Sequence, residues 1–416
     1  MKTIAILGCG ARGTVYAEEL KKHPEGFEFT ALCDVNPLQL KRIKQRLENE
    51  DIPTFLDVDE FLSEKRADAL VIATPDREHV PQTIRALHLG YDVLLEKPVS
   101  DSREEIAALL RAQEETGKQV IVSHVLRYAP GFRRCAEILQ SGELGELYAI
   151  DASERVIFWH WAQAYVRGIG GVLKDSHPAI LAKCSHDLDL VQAYAGSECD
   201  TVTSVGDRRF FVPENAPEGA TERCLDCPHR DTCTYSAKRI YIDRWNNAGK
   251  PPHAGPFNRV DLSYPTTEEG LTRALREGRY GICAFRGPLD QPDHQMVQMT
   301  FKNGVKASLK MVFAANAGRR LTFYCTEGEL IFDEREQKIE VMPYFKAKQV
   351  IDAKMILERG AAHGGGDAVL SKEFGDLVAG IAGCPTTLRE SLECHLMGIA
   401  AEESRHQGGT LIKVHQ

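Results

Sequence analysis

The feature that most constrains this chain is a regular alternation over its first 125 or so residues. The apolar runs TIAILG (3–8), FTALCD (29–34), ALVIAT (69–74), DVLLEKP (92–98) and QVIVSH (119–124) are separated by helical patterns near 11–22, 37–49, 77–89 and 102–116. Strands joined through single helices pair in parallel, by right-handed crossovers. A doubly wound α/β sheet is therefore expected. The chain has 416 residues, too many for one typical domain and suited to two, expected at 1–125 and 126–416.

After about residue 147 the character changes. LYAIDASERVIFWHW (147–161) reads as one long strand, and 181–194 as a helix whose apolar stripe is Leu181, Cys184, Leu188, Val191 and Ala195. From about 260 the signals are β-rich: HQMVQMTF, VKASLKMVFA, RLTFYCTEGELIFD and KIEVMPYF, with turn signals at 302–304 and 327–328. Such runs predict a large open, mainly antiparallel sheet in an α+β second domain. Residues 367–381 and 386–405 read as helices, and about 205–260 as an irregular Cys-rich insertion.

Composition excludes some partners. The net charge of −9 gives no global pull toward nucleic acid. No apolar run approaches the roughly 20 residues that span a bilayer. The opening MKTIAILGCGARG lacks the apolar stretch and cleavage site of an export signal, so a cytoplasmic location is expected. Of the 12 cysteines most sit singly in apolar runs, as Cys9, Cys33, Cys184 and Cys325 do, where a thiol acts as a small hydrophobe. No disulfide framework is expected.

GCGARG follows the first strand and opens the first helix. The first glycine permits the tight turn, the second lets backbone approach a pyrophosphate, and the third packs helix on strand. Free N–H groups at the helix start favour phosphate. Gly8, Gly10, Ala11, Arg12 and Gly13 are thus expected at a dinucleotide. Asp34 ends the second strand, where a carboxylate accepts from ribose hydroxyls and repels a 2′-phosphate, favouring NAD over NADP. A helix cap ahead of Asn36-Pro37 is its alternative. Thr74, Pro75 and His79 follow the third strand, at the sheet edge where ligands sit, although Asp76 also suits a plain N-cap.

Glu96-Lys97-Pro98 ends the fourth strand. With GCGARG, Asp34, TPDREH, RYAPGFRR (127–134), SGELGEL (141–147) and TEGEL (326–330), it makes the whole chain resemble the Gfo/Idh/MocA family. The resemblance implies a Rossmann domain, then a domain whose open sheet mediates contacts in a homodimer or homotetramer. It implies hydride transfer between NAD and a carbinol of a sugar, glycoside or cyclitol. It places Glu96 and Lys97 beside the cofactor, with Lys97 also at the substrate hydroxyl. A lysine there polarises oxygen or relays its proton once burial lowers its pKa. A surface lysine paired with Glu96 is the alternative, weakened because adjacent strand residues face opposite ways.

The family's second signature, an aspartate four residues before a histidine, maps onto LAKCSHDLDL. His186 matches the histidine, as general acid–base or sugar ligand, although a structural histidine is also common on apolar helices. The aspartate position holds Ala182, and Lys183 is the nearest polar group. This departure implies a subgroup in which Lys97 and Lys183 stand together near the reacting carbon. Tyr128, His160, Tyr165, Arg167 and Asp187 are candidate substrate contacts, through aromatic faces and polar heads, or else a packed core under a loop. HGGGD (363–367) reads as a glycine loop with Asp367 as an N-cap. Cys224, Cys227 and Cys233, with His229, have zinc-ligand types, with a fourth partner such as His253, or are free thiols. Three functions fit: an NAD-dependent sugar or cyclitol dehydrogenase, a glycosidase using NAD transiently, and a non-catalytic NAD-binding sensor. Only the first releases NADH.

Overall fold

The computed structural model describes residues 1–252, 255–260, 265–355 and 362–415. Six strands form a parallel sheet: β1 (Lys2–Leu7), β2 (Phe27–Cys33), β3 (Thr54–Phe55), β4 (Ala69–Ile72), β5 (Asp92–Leu95) and β6 (Val120–Val122). Their order is β3-β2-β1-β4-β5-β6. All four residues of β4 are buried, as expected of a strand covered on both faces. Five of the six strands match the apolar runs. Strand β3 has only two residues, too few for periodicity to register.

Nine strands form the second sheet: β7 (Leu147–Ile157), β8 (Cys199–Asp207), β9 (His294–Phe301), β10 (Lys306–Ala315), β11 (Arg319–Cys325), β12 (Gly328–Asp333), β13 (Lys338–Pro343), β14 (Gln349–Asp352) and β15 (Ile412–Lys413). The order is β14-β13-β12-β11-β7-β10-β9-β8-β15. The β7–β10 pair is parallel and the other pairs are antiparallel. Burial alternates along β12 and β13, so one face is covered and the other bare, with Met296 and Tyr324 exposed on the bare face.

Two expectations need correction. The segment 147–161 is a strand only to Ile157; Phe158–Trp161 turn into a helix that continues through Arg167. The insertion runs on to β9 at His294, past the expected end near 260, and includes a helix at Glu268–Glu277 capped by Thr267. That insertion has its own apolar cluster, with Ile240, Tyr241, Trp245, Leu271 and Leu275.

Helix Ala179–Ala195 is the hub. It was expected to bury one stripe, yet 14 of its 17 residues are buried. It packs on β7 and β10 on one side, and on helices Val125–Tyr128 and Leu388–His406 on the other. The last helix starts in a capping box, Thr387 with Glu390. Helix Gly366–Ala379 crosses back to the parallel sheet, where Leu370 and Phe374 share a core with Tyr16, Ala17 and Leu20. Among the described residues no helix is long and apolar enough to cross a membrane.

A Cβ at Gly398 would stand 2.2 Å from Leu181 Cδ2, so the two long helices touch closely there. Gly398→Ala is expected to cost about 1–3 kcal/mol through overpacking. A lower urea midpoint with an unchanged m-value checks this.

Candidate active site

The carboxyl ends of β1, β2, β4 and β5 converge on the glycine loop. Gly8 has φ 91°, and a Cβ there would stand 2.5 Å from the Ala73 backbone. At Gly13 a Cβ would stand 1.9 Å from the Gly8 carbonyl oxygen. Gly10 differs, because a Cβ there would meet nothing within 4 Å. Two glycines thus permit packing and the third leaves room, the arrangement a pyrophosphate needs. Asp34 accepts from the Cys9 N–H (2.8 Å) and the Asn36 N–H (2.8 Å) through different oxygens. Each oxygen keeps a free lone pair, which fits the ribose contact.

Arg12 leaves the loop and enters a buried network. Its guanidinium bonds Glu96, Tyr16 and Asp367, the last at 2.7 Å. Tyr16 donates to Glu96 Oε1 at 2.6 Å, and Glu96 Oε2 accepts the Lys97 N–H at 2.7 Å. Burial opposes ionisation of Glu96, but the charges of Arg12 and Lys97 and the hydrogen bonds from Arg12 and Tyr16 together outweigh it and lower the carboxyl to about 2. Asp367 lies inside its helix, with Gly365 as the N-cap, so the expected cap is a salt-bridge partner instead. His363, with φ 47°, bonds Asp367 at 2.9 Å.

Lys97 precedes a cis proline and points from the end of β5 toward helix Ala179–Ala195. Its Nζ donates to the Ala182 carbonyl at 3.0 Å. Burial lowers its pKa, Glu96 and Asp76 oppose that, and Lys183 adds to it. Lys183 pairs with Glu154 at 3.0 Å, and Glu154 also meets Arg319 at 3.0 Å. Arg319 bonds Asp187 at 2.8 Å as well. Burial and Glu154 raise Asp187 to about 6 against the pull of Arg319.

His186 is buried, and its Nδ1 has no hydrogen-bond partner. Burial, then Lys97, His363 and His124, push its pKa well below the usual 6.5, so the ring is neutral. Its ring centroid lies 6.0 Å from that of His124 and 6.0 Å from that of His363. His160, held neutral at about 3 by burial and by Lys183, stands 6.4 Å from Tyr165. The charges of Asp76 and Glu154 reach Tyr165, which stacks on Trp161. Lys97, Lys183, His186, His160 and Tyr165 thus surround one region at the end of β5.

Residues 2–124 match a family profile described as oxidoreductase family, NAD-binding Rossmann fold (GFO_IDH_MocA). The matched segment is less than a third of the chain and carries the glycine loop and Lys97. YteT of Bacillus subtilis (strain 168) is 25% identical over 391 residues, which cover 90% of this chain and 88% of that protein. An inositol 2-dehydrogenase of Arthrobacter sp. (strain FB24) is 26% identical over 220 residues, 52% of this chain and 60% of that one. The match to that relative therefore spans little more than half of either protein. Among solved structures, levoglucosan dehydrogenase with NADH and levoglucosan has a TM-score of 0.71 at 15% identity, covering 100% of both chains. The scyllo-inositol dehydrogenase of Lactobacillus casei with NAD(H) and scyllo-inositol has 0.68 at 16%, again covering 100% of both. At such identities the structural likeness is one of fold.

Several expected contacts lie elsewhere. Tyr128 is in the core with its hydroxyl 2.8 Å from Thr386 Oγ1, because its short helix faces inward. Arg167 turns toward the insertion and bonds Ile282 O (2.7 Å) and Tyr235 O (2.6 Å). Asp187 serves Arg319. Arg127, beside Tyr128, grips Asp189 at 2.6 and 3.0 Å. His79 lies between the carbonyls of Pro98 (2.6 Å) and Thr74 (2.9 Å), and Thr74 donates to Gln82, so both brace the loop after β4. Pro75 begins the turn there. His229 faces the Glu218 carbonyl at 2.7 Å, and His253 lies outside the described residues. Sequence reasoning missed Arg319, Tyr16, His124 and His363. Arg319, His124 and His363 reach the site from distant segments, of which only the HGGG run was flagged, and Tyr16 lies one turn past Arg12 on the first helix.

The Glu96 carboxyl falls from an ordinary 4.5 to about 2 on folding. The unfolded chain therefore binds the extra proton, and stability from Glu96 is full above the ordinary value and lost as pH falls toward about 2. Its size is about 3 kcal/mol. Asp187 acts with opposite sign between 3.8 and about 6. Glu96→Gln is expected to flatten the acid limb of unfolding free energy against pH, while the Asp187 window persists; denaturant titrations from pH 7 to 3 check this.

Proposed function

We propose that this protein is an NAD-dependent dehydrogenase of a sugar, glycoside or cyclitol carbinol. The single observation that carries the reading is Lys97, half-buried on the same sheet edge as the glycine loop and bonded through Nζ to the helix that carries His186. In this reading residues 1–125 hold the cofactor and 126–416 frame the substrate. NAD, when bound, supplies the hydride acceptor.

The chain's own groups have distinct tasks. The loop from Gly8 to Gly13 offers backbone N–H groups to the pyrophosphate. Asp34 accepts from the adenosine ribose hydroxyls and favours NAD over NADP. Lys97 binds the reacting oxygen; with a lowered pKa it takes the carbinol proton at Nζ. His186, neutral, accepts a hydrogen bond from a neighbouring hydroxyl through its open Nδ1. Lys183 remains with Glu154 and keeps Lys97 from holding its proton tightly. His160 and Tyr165 offer ring faces to a polyhydroxylated substrate. The relatives that act on inositols and the fold shared with levoglucosan dehydrogenase support this substrate class. The bare face of the nine-stranded sheet suits contact with a second copy of the chain.

The test is purified protein with NAD and a panel of free sugars, cyclitols and nitrophenyl glycosides, following NADH and nitrophenolate together. NADH is expected to rise with a free carbinol, and Lys97→Met to lower kcat about 10²–10⁴-fold while NAD still binds. Nitrophenolate released in an NAD-dependent way without NADH establishes the glycosidase instead. Binding of NAD with neither product establishes the sensor.

A further inference from the structure

The insertion between β8 and β9 carries a second centre, built from sulfur. Cys224, Cys227, Cys233 and Cys283 line one cavity, closed by Tyr235, Phe285 and Ser236. The fourth cysteine comes from 50 or more residues further along the chain, far outside any local motif. Backbone pairing brings it in: Cys224 N–H donates to Gly281 O at 2.9 Å, Cys283 N–H donates to Glu222 O at 2.8 Å, and Arg223 bridges Ile282. Tight turns set the other two, with Cys227 N–H on Cys224 O and Cys233 N–H on His229 O. All four are free cysteines.

We propose that Cys224, Cys227, Cys233 and Cys283 ligate a [4Fe–4S] cluster. Four thiolates are the ligand set such clusters take. The chain provides charge compensation as well. Arg167 is buried and its Nη2 lies 3.5 Å from Cys224 Sγ. Its other neighbours are the Ile282 and Tyr235 carbonyls and the Tyr241 hydroxyl, and among the described residues no carboxylate pairs with it. A buried guanidinium without a carboxylate calls for an anion, and a thiolate-ligated cluster is one. Ser236 is 1% exposed, lines the cavity, and its Oγ has no hydrogen-bond partner. It is a ready donor to sulfur.

Sulfur spacing separates a cluster from one ion. A tetrahedral zinc holds thiolates at about 2.3 Å, which draws the sulfurs close together. Among the described residues the compact ligand groups, with all atoms within 4.8 Å, are His124–Cys394–His395 and Asp207–Asp293–His294. The four cysteines form no such group, although they surround one cavity. An iron cubane carries its cysteines on outer corners and needs that wider arrangement. On assembly each cysteine gives up its thiol proton and forms one iron–sulfur bond, with two ferrous ions, two ferric ions and four sulfides supplied as co-reactants. No electron transfer is involved in this role. The cluster pins an irregular segment and fixes Arg167, the far end of the 158–167 helical stretch that carries His160. His229, expected as a ligand, is replaced by Cys283.

The experiment is anaerobic purification of the full chain, with iron, zinc and acid-labile sulfide analysis and a visible spectrum. About four iron and about four sulfide per chain, with a brown colour and a broad visible band, are expected. Cys283→Ser and Cys233→Ser should lose them, while His229→Ala and Cys384→Ser keep them. Native far-UV circular dichroism identifies folded variants; if the cysteine variants do not fold, the wild-type stoichiometry and His229→Ala decide. Zinc without iron and sulfide, a chain that neither carries nor takes up iron and sulfide, or a folded Cys283→Ser with a full cluster overturns the proposal.

Discussion

The Arg12–Glu96 contact is the interaction on which the rest of the site depends. Both groups are largely buried, and burial alone would make either charge costly. Together with Tyr16 and Asp367 they satisfy one another. The pair ties the first helix, the end of β5 and helix Gly366–Ala379 at one point. Glu96 also takes the Lys97 N–H, so the lysine's backbone is fixed by the same carboxylate. Removing one partner of such a pair typically costs about 3–5 kcal/mol, because the other charge remains buried.

A second buried network does the same for the second sheet. Arg319 on β11 reaches Glu154 on β7 and Asp187 on the central helix, and Glu154 then holds Lys183. The position four residues before His186, where the family resemblance places an aspartate, has no carboxylate here. Its backbone carbonyl receives Lys97 instead. Glu154 is held by Lys183 and Arg319.

Much of the fold was legible because parallel strands buried on both faces make apolar runs that turn residues punctuate. The glycine loop was legible for the same local reason: strand, turn and helix are contiguous. Strand β3 was too short to register, and helix Glu268–Glu277 was hidden in an irregular stretch. In the candidate site, residues close in sequence were found together, and those joined by tertiary contact were misread. Asp187 sits one residue after His186 yet points to Arg319, because neighbours on a helix face different directions. Tyr128 and Arg167 looked available because aromatic and cationic side chains carry no mark of burial in a sequence. Cys283 could not be paired with Cys224 without the bridge at Arg223 and Ile282.

In the proposed reaction hydride passes directly from a carbinol carbon positioned at Lys97 to NAD. A substrate deuterated at that carbon, incubated with the protein and NAD and followed by mass spectrometry of the nicotinamide, reads this transfer. The deuterium is expected on released NADH, one for each oxidised carbohydrate. Deuterium retained in the carbohydrate product, or washed into water, with the NAD pool unchanged would contradict it.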